Sequence, residues 1–246
     1  MASTTEISPV YQVSSMRVLI VLILAVAFSD PTAVCAAGAK PFAASDSIDL
    51  VAILPPPPAN NSPQTRAELA EILTLQVKRT PQMVTRAQAD AEESVWRFAD
   101  VIGPKFTSEN LPRLAKFFDR VTETEGAVVD PAKNFFKRMR PYAWSDLVKP
   151  VVQRPSVSGA WPSGHATVGT LMGIILSNMV PEKKAQIMAR AWEYADNRVV
   201  SGVHYRSDIE MGRIAGSVIA AVIMTHDDFN AEFASAKVEL RAALGL

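Results

Sequence analysis

Three short blocks carry most of the chemistry open to this chain. The first is Lys133 followed after six residues by Arg140-Pro141, and the second is Pro162-Ser163-Gly164-His165. The third is Arg198, five residues, His204, three residues, Asp208. Together they hold two imidazoles, a carboxylate, three cations, a hydroxyl and a glycine. That inventory suits gripping a tetrahedral oxyanion and passing it to a histidine. The chain has 3 histidines, and two of them fall inside these blocks. His226, beside Asp227 and Asp228, has no comparable setting and is expected to cap a helix end.

Each block alone has a plainer reading. Pro162–His165 precedes an apolar run at 166–176, so its backbone N–H groups should lie at a helix N-terminus, a natural anion site. Gly164 would let an oxyanion approach the backbone, Ser163 adds a hydroxyl donor, and His165 can supply or take a proton. A serine in that position is also an ordinary cap. Ser207-Asp208-Ile209-Glu210 fits a capping box with Ser207 as the N-cap. His204 would then lie just before a helix, with Asp208 in its first turn. There Asp208 can hold one imidazole nitrogen and leave the other free as a nucleophile, or merely complement the helix dipole. Lys133 and Arg140 bracket a predicted helix whose other charges, Lys137 and Arg138, read as a solvated face. What favours chemistry is the joint count: three blocks in one order are far more specific than any one.

The elements that must position these blocks are helices. Helix-forming or amphipathic stretches occupy 67–77, 87–102, 111–121, 167–179, 182–195, 209–224 and 229–244. Asp130-Pro131 reads as a helix start, and that helix should stop near Met139 because Arg140 precedes a proline. No alternating run is long enough for a sheet, and no internal repeat is present. The expected fold is all-α, a single-domain helical bundle over residues 65–246. Residues 40–64 read as an extended arm containing the run Pro55 to Pro58, with 51–54 packed onto the domain.

The beginning of the chain reads as a leader rather than as fold. Arg17 precedes an unbroken apolar run at 18–28, followed by Ser29-Asp30-Pro31 and small residues. This is the order of a secretory signal peptide over residues 1–39, with Ala37-Gly38-Ala39 as a cleavage site and Met16 as an alternative start. A helix across a bilayer needs about 20 apolar residues, so the run is short for an anchor. Removing Arg17, Glu6 and Asp30 from the 25 basic and 25 acidic residues leaves 24 against 23. That balance argues against a nucleic-acid partner or a stable membrane association after cleavage. The single cysteine, Cys35, lies in the leader, so disulfides and thiol chemistry are not expected. An exported chain of this kind suits a bacterial periplasm.

The three blocks, in their order and spacing, resemble the phosphatidic acid phosphatase type 2 superfamily. The leader and the Leu54-Pro55-Pro56-Pro57-Pro58-Ala59 arm resemble its bacterial class A non-specific acid phosphatases. The resemblance implies an all-helical fold and broad-specificity hydrolysis of small phosphate monoesters through a phosphohistidine. It makes His204 the nucleophile, Asp208 its orienting partner, and His165 the acid and then the base. Lys133, Arg140, Ser163, Gly164 and Arg198 would bind the phosphoryl oxygens. No cluster of carboxylates or histidines has metal-ligand spacing, so no metal or other cofactor is expected, and relatives often pair as homodimers. Asn197 stands where the family has serine, and Arg206 where many relatives have proline. A solvated Arg206 is expected, while Trp161 and Tyr205 could either pack in the core or stack on a leaving group. The competing readings are a vanadate-dependent haloperoxidase and a phosphate-binding protein without turnover. A membrane lipid phosphatase would need spanning helices that the sequence does not offer.

Overall fold

One helix, apolar on nearly every side, organises the core. In a computed structural model describing residues 1–2, 38–153 and 158–246, Gly38–Leu246 forms one compact unit. Among the described residues the chain is helical throughout, with no strand. In chain order the helices are α1 (Leu50–Ile53), α2 (Pro63–Lys78), α3 (Pro81–Ala89), α4 (Ala99–Ile102) and α5 (Pro112–Phe136). They continue with α6 (Pro141–Trp144), α7 (Gly164–Met179), α8 (Lys184–Val200), α9 (Arg206–Ile223) and α10 (Asp227–Leu244). The all-α architecture expected from the periodicity is therefore observed. The leader lies almost wholly outside the described residues.

Helix α7 is the central element, buried along most of its length between α8 and α9. Small residues let the neighbours come close. A Cβ on Gly169 would stand 2.6 Å from the Tyr194 ring, and one on Gly173 would stand 2.7 Å from the Ala191 Cβ. On the other side, a Cβ on Gly212 would meet the Ser163 carbonyl at 2.6 Å, and one on Gly216 the Thr167 carbonyl at 2.5 Å. The contacts run antiparallel along α8 and parallel along α9. The C-terminus of α8 and the N-termini of α7 and α9 therefore meet at one end of the bundle, and two of the blocks meet with them.

Helix α5 brings in the first block, whose Lys133 it carries. Its 25 residues bury Leu114, Phe118, Val121, Glu125, Val128 and Ala132 along one face. Asp130-Pro131 does not start a helix, as the sequence suggested, but lies inside α5. The amphipathic run beginning at Pro112 is long enough to carry the helix past one missing N–H. Helix α5 ends where Lys137 adopts the left-handed conformation (φ 50°). Lys133 thus sits in its last turn, and Arg140, extended before Pro141, caps the short α6.

Two other boundaries differ from expectation. The predicted helix over 87–102 is broken: α3 stops at Ala89, and a turn and a 3₁₀ segment (Val95–Phe98) precede α4. Asp90 causes the break, because its buried carboxylate is taken by Arg97, Arg190 and Asn197. The N-cap of α9 is Tyr205 rather than Ser207, whose hydroxyl serves Glu68 and Arg138 instead. In the arm, Asp49 caps α1 through its side chain, and Phe42, Ile48, Leu50 and Leu54 are buried in the core.

No single helix among the described residues is long and apolar enough to cross a membrane. Helices α9 and α10 meet that standard of length and composition only as a pair, across a 99° bend.

Candidate active site

The turn after α8 builds the deepest part of the site. Gly202 takes a positive φ of 77°, which a side chain would resist, and the chain folds back so that Val203 N and His204 N both donate to the Arg198 carbonyl at 3.1 and 3.3 Å. His204 is thereby buried. Its Nδ1 faces Asp208 Oδ2 at 3.3 Å, and the same oxygen accepts the Tyr205 N–H at 2.8 Å. Its Nε2 lies 2.9 Å from Arg140 Nη1. A guanidinium can only donate, so this network assigns the neutral ring, with hydrogen on Nδ1 and a lone pair on Nε2. The electrostatics agree. Burial, then the charges of Arg140, Arg198, Lys133 and His165, hold the His204 pKa well below the ordinary histidine value.

Behind Asp208 stands a residue that the sequence reading placed on a solvated face. Arg138 is fully buried, donating to Asp208 Oδ1 at 2.6 Å, to Ser207 Oγ at 2.8 Å and to Glu68 Oε2 at 3.0 Å. Its guanidinium lies 4.4 Å from the Tyr205 ring centroid and 5.4 Å from that of Trp161. Both aromatic residues are buried, so they pack around this brace. Burial raises the Asp208 pKa, with Arg138 and the Tyr205 N–H pulling the other way and favouring the carboxylate. The acidic partner Glu68 comes from α2, remote in sequence, which is why the charge run gave no hint of it.

The second imidazole has a different setting. Ser163 caps α7, accepting from Ala166 N at 3.4 Å, and its own N–H donates to the Asp208 carbonyl at 3.0 Å. This ties the start of α7 to the first turn of α9. His165, in the first turn of α7, has Nδ1 2.7 Å from Glu93 Oε1 and Nε2 2.9 Å from the Ala91 carbonyl. Only the doubly protonated ring can donate to both. Burial and then Arg198 nonetheless lower its pKa, with Glu93 and Ala91 working against them. Glu93 itself would be raised by burial, but its hydrogen bond to His165 and that ring's charge hold it at about 2. Sequence reasoning missed Glu93 because it sits in the turn that breaks the predicted helix. Asn197 donates at 2.7 Å to Asp90, the residue that causes that break.

The cations complete the site. Arg198 is 3% exposed, yet its Nε and Nη1 have no hydrogen-bond partner among the described residues. Burial lowers its pKa to about 10. Arg140 is fixed by carbonyls, donating to Ser158, Gly159 and Val203 as well as facing His204. The Lys133 ammonium reaches the start of α7, 2.9 Å from where a Cβ on Gly164 would stand. A cavity of about 350 Å³ bounded by Lys133, Lys137, Arg140, Tyr142, Ser158 and Gly159 opens onto this side. Arg206 is held by Glu71 and Asp196 at 2.6 and 2.5 Å rather than free in solvent. His226 is the N-cap residue of α10, its ring against the Phe42 carbonyl at 3.1 Å. Among the described residues, no three His, Cys, Asp or Glu side chains converge as a metal would require.

Comparison with known proteins gives the family. Residues 122–231 match the PAP2 superfamily. The non-specific acid phosphatase of Salmonella typhimurium is 30% identical over 207 residues, covering 79% of this chain and 81% of that protein. The chain belongs to the PAP2 superfamily. The non-specific acid phosphatase of Providencia stuartii is 28% identical over 79% of this chain and 82% of that one. The acid phosphatase of Zymomonas mobilis is 30% identical, covering 79% of this chain and 76% of that protein. Among solved structures, a bacterial vanadium-dependent iodoperoxidase shares the fold, with a TM-score of 0.53 and 19% identity over 70% of this chain and 51% of that one.

Proposed function

We propose that this chain is an exported acid phosphatase that hydrolyses small phosphate monoesters through a phosphohistidine, without a metal or other cofactor. The observation that carries the reading is the buried Arg198 guanidinium, with two nitrogens lacking partners, beside a neutral histidine. A buried cation without a partner is costly, and a phosphoryl group would satisfy it.

In this account His204 Nε2 attacks phosphorus in line and forms the P–N bond as the P–O bond to the alcohol breaks. Asp208 keeps the Nδ1 proton in place and stabilises the imidazolium that develops. Lys133, Arg140, Arg198, the Ser163 hydroxyl and the backbone at Gly164 hold the phosphoryl oxygens, so charge stabilisation and positioning supply most of the rate. One His165 N–H, bonded in this structure to Glu93 or to the Ala91 carbonyl, exchanges that partner for the departing alkoxide oxygen and gives it the proton. The ring then takes one from the water that releases phosphate and restores His204. Burial and Arg198 lower the His165 pKa, while an arriving phosphate dianion raises it. The acid form is therefore best populated at mildly acidic pH.

The relatives named acid phosphatase cover most of the chain, which favours hydrolysis over a haloperoxidase or a silent phosphate binder. The iodoperoxidase supports the fold alone. Residues 1–39 are the proposed signal peptide, 40–64 the arm and 65–246 the catalytic domain, working in the periplasm, with a homodimer as the proposed assembly. Purified protein lacking the leader should release phosphate from p-nitrophenyl phosphate in excess chelator. His204→Ala should lower that rate by about 10³-fold or more. A wild-type rate in His204→Ala removes the assigned nucleophile.

A further inference from the structure

A carboxyl group stands among the phosphate ligands that none of the three blocks contains. Glu125 occupies the buried face of α5, two turns before Lys133, and is 5% exposed. Its Oε1 is buried without a hydrogen-bond partner among the described residues. That oxygen lies 2.7 Å from where a Cβ on Gly164 would stand, and the Lys133 ammonium lies 2.9 Å from the same point. An unsatisfied acid and a cation thus converge on the start of α7, where the backbone also offers donors. Nothing else on that face of α5 needs a carboxylate, because its neighbours Val121, Val128, Val129 and Ala132 are core residues.

We propose that Glu125 is a further phosphate-binding residue, acting as a neutral acid whose O–H donates to a phosphoryl oxygen held between Gly164 and Lys133. The proposal rests on the phosphate site described above and adds a ligand to it. An ionised carboxylate there would repel a dianion, whereas the protonated form satisfies both partners. The groups that face it are Glu93 and Asp130, which disfavour its charge, and Lys133, which favours it. Burial and then Glu93 outweigh Lys133 and push Glu125 up to about 8. It would therefore hold its proton through the acidic range and lose it in mild alkali, and phosphate affinity would fall with it.

The test is calorimetric titration of the full mature protein with inorganic phosphate at pH 6 and pH 9. Glu125→Gln keeps a neutral donor of the same shape, so at pH 6 it should bind within about threefold of the parent. The ratio of variant to parent affinity should rise by about tenfold at pH 9, a comparison in which the titration of phosphate itself cancels. Glu125→Ala should bind about tenfold more weakly at pH 6. An unchanged Gln-to-parent ratio between the two pH values overturns the proposal, even if the Ala variant does not fold. Parent-like binding by folded Glu125→Ala overturns it as well. Binding with this pH pattern but no turnover would contradict the hydrolase reading and leave Glu125 standing.

Discussion

The two imidazoles of the site are held by carboxylates in opposite ways. His204 backs onto Asp208, which is locked by Arg138, itself locked by Glu68, and all four side chains are buried. His165 backs onto Glu93, a one-third exposed side chain on a turn. A nucleophile needs one fixed direction and one fixed tautomer, which a closed chain of buried ion pairs provides. A proton donor must let go of its proton and take another, which a partner near solvent permits. Of the two, only the His204–Asp208 pair lies inside a single sequence block, while His165 and Glu93 are 72 residues apart.

Substitutions can break or sharpen this contrast. The largest effect on turnover separates the two rings. His165→Ala should slow esters of poorly leaving alcohols by about 10²–10⁴-fold. It should slow p-nitrophenyl phosphate much less in the transfer step, because that leaving group needs no proton. His204→Ala should abolish both alike, and equal leaving-group dependence in the two variants would erase the distinction. Arg138→Met should next destabilise the fold by about 3–5 kcal/mol in chemical denaturation, since it strands Asp208 and Glu68 as buried unpaired carboxylates. A loss under 1 kcal/mol would mean that the brace is dispensable.

The smallest effect is expected at Glu93→Gln. Glu93 raises the His165 pKa by hydrogen bond and charge, so its removal lowers that pKa further. The acid form is then lost at lower pH, and the alkaline limb of kcat for poor leaving groups should move toward acid. The rate near neutrality should fall by about tenfold or less. A limb that stays in place would show that Glu93 does not tune His165.

Much of this could be read from the sequence because each motif is short and local. The residues of Pro162–His165 and Arg198–Asp208 sit within a turn or two of helix ends, where spacing dictates geometry. The helix periodicity gave α7, α8, α9 and α10 to within a few residues. What was not legible depends on partners distant in sequence. Arg138 looked like a surface charge because Glu68 lies 70 residues earlier. The helix over 87–102 looked continuous because the residues that pull Asp90 out of it, Arg190 and Asn197, lie 100 and 107 residues away. Ser207 looked like a cap because its competing acceptor on α2 could not be seen. Glu125 did leave a signal: it falls in step with Leu114, Phe118, Val121, Val128 and Ala132, a charge at a core position of an amphipathic helix. That pattern would have marked it as a buried acid with a purpose.

The central claim is that His204 carries the phosphoryl group and His165 only moves protons. Rapid-quench labelling from a radioactive phosphate monoester tests it most directly, with the label followed to the residue. With radioactive p-nitrophenyl phosphate, whose transfer needs no acid, label should appear on His204 in the parent and more of it in His165→Ala, where hydrolysis of the intermediate lacks its base, with none in His204→Ala. Label on His165, or undiminished label in His204→Ala, would contradict it.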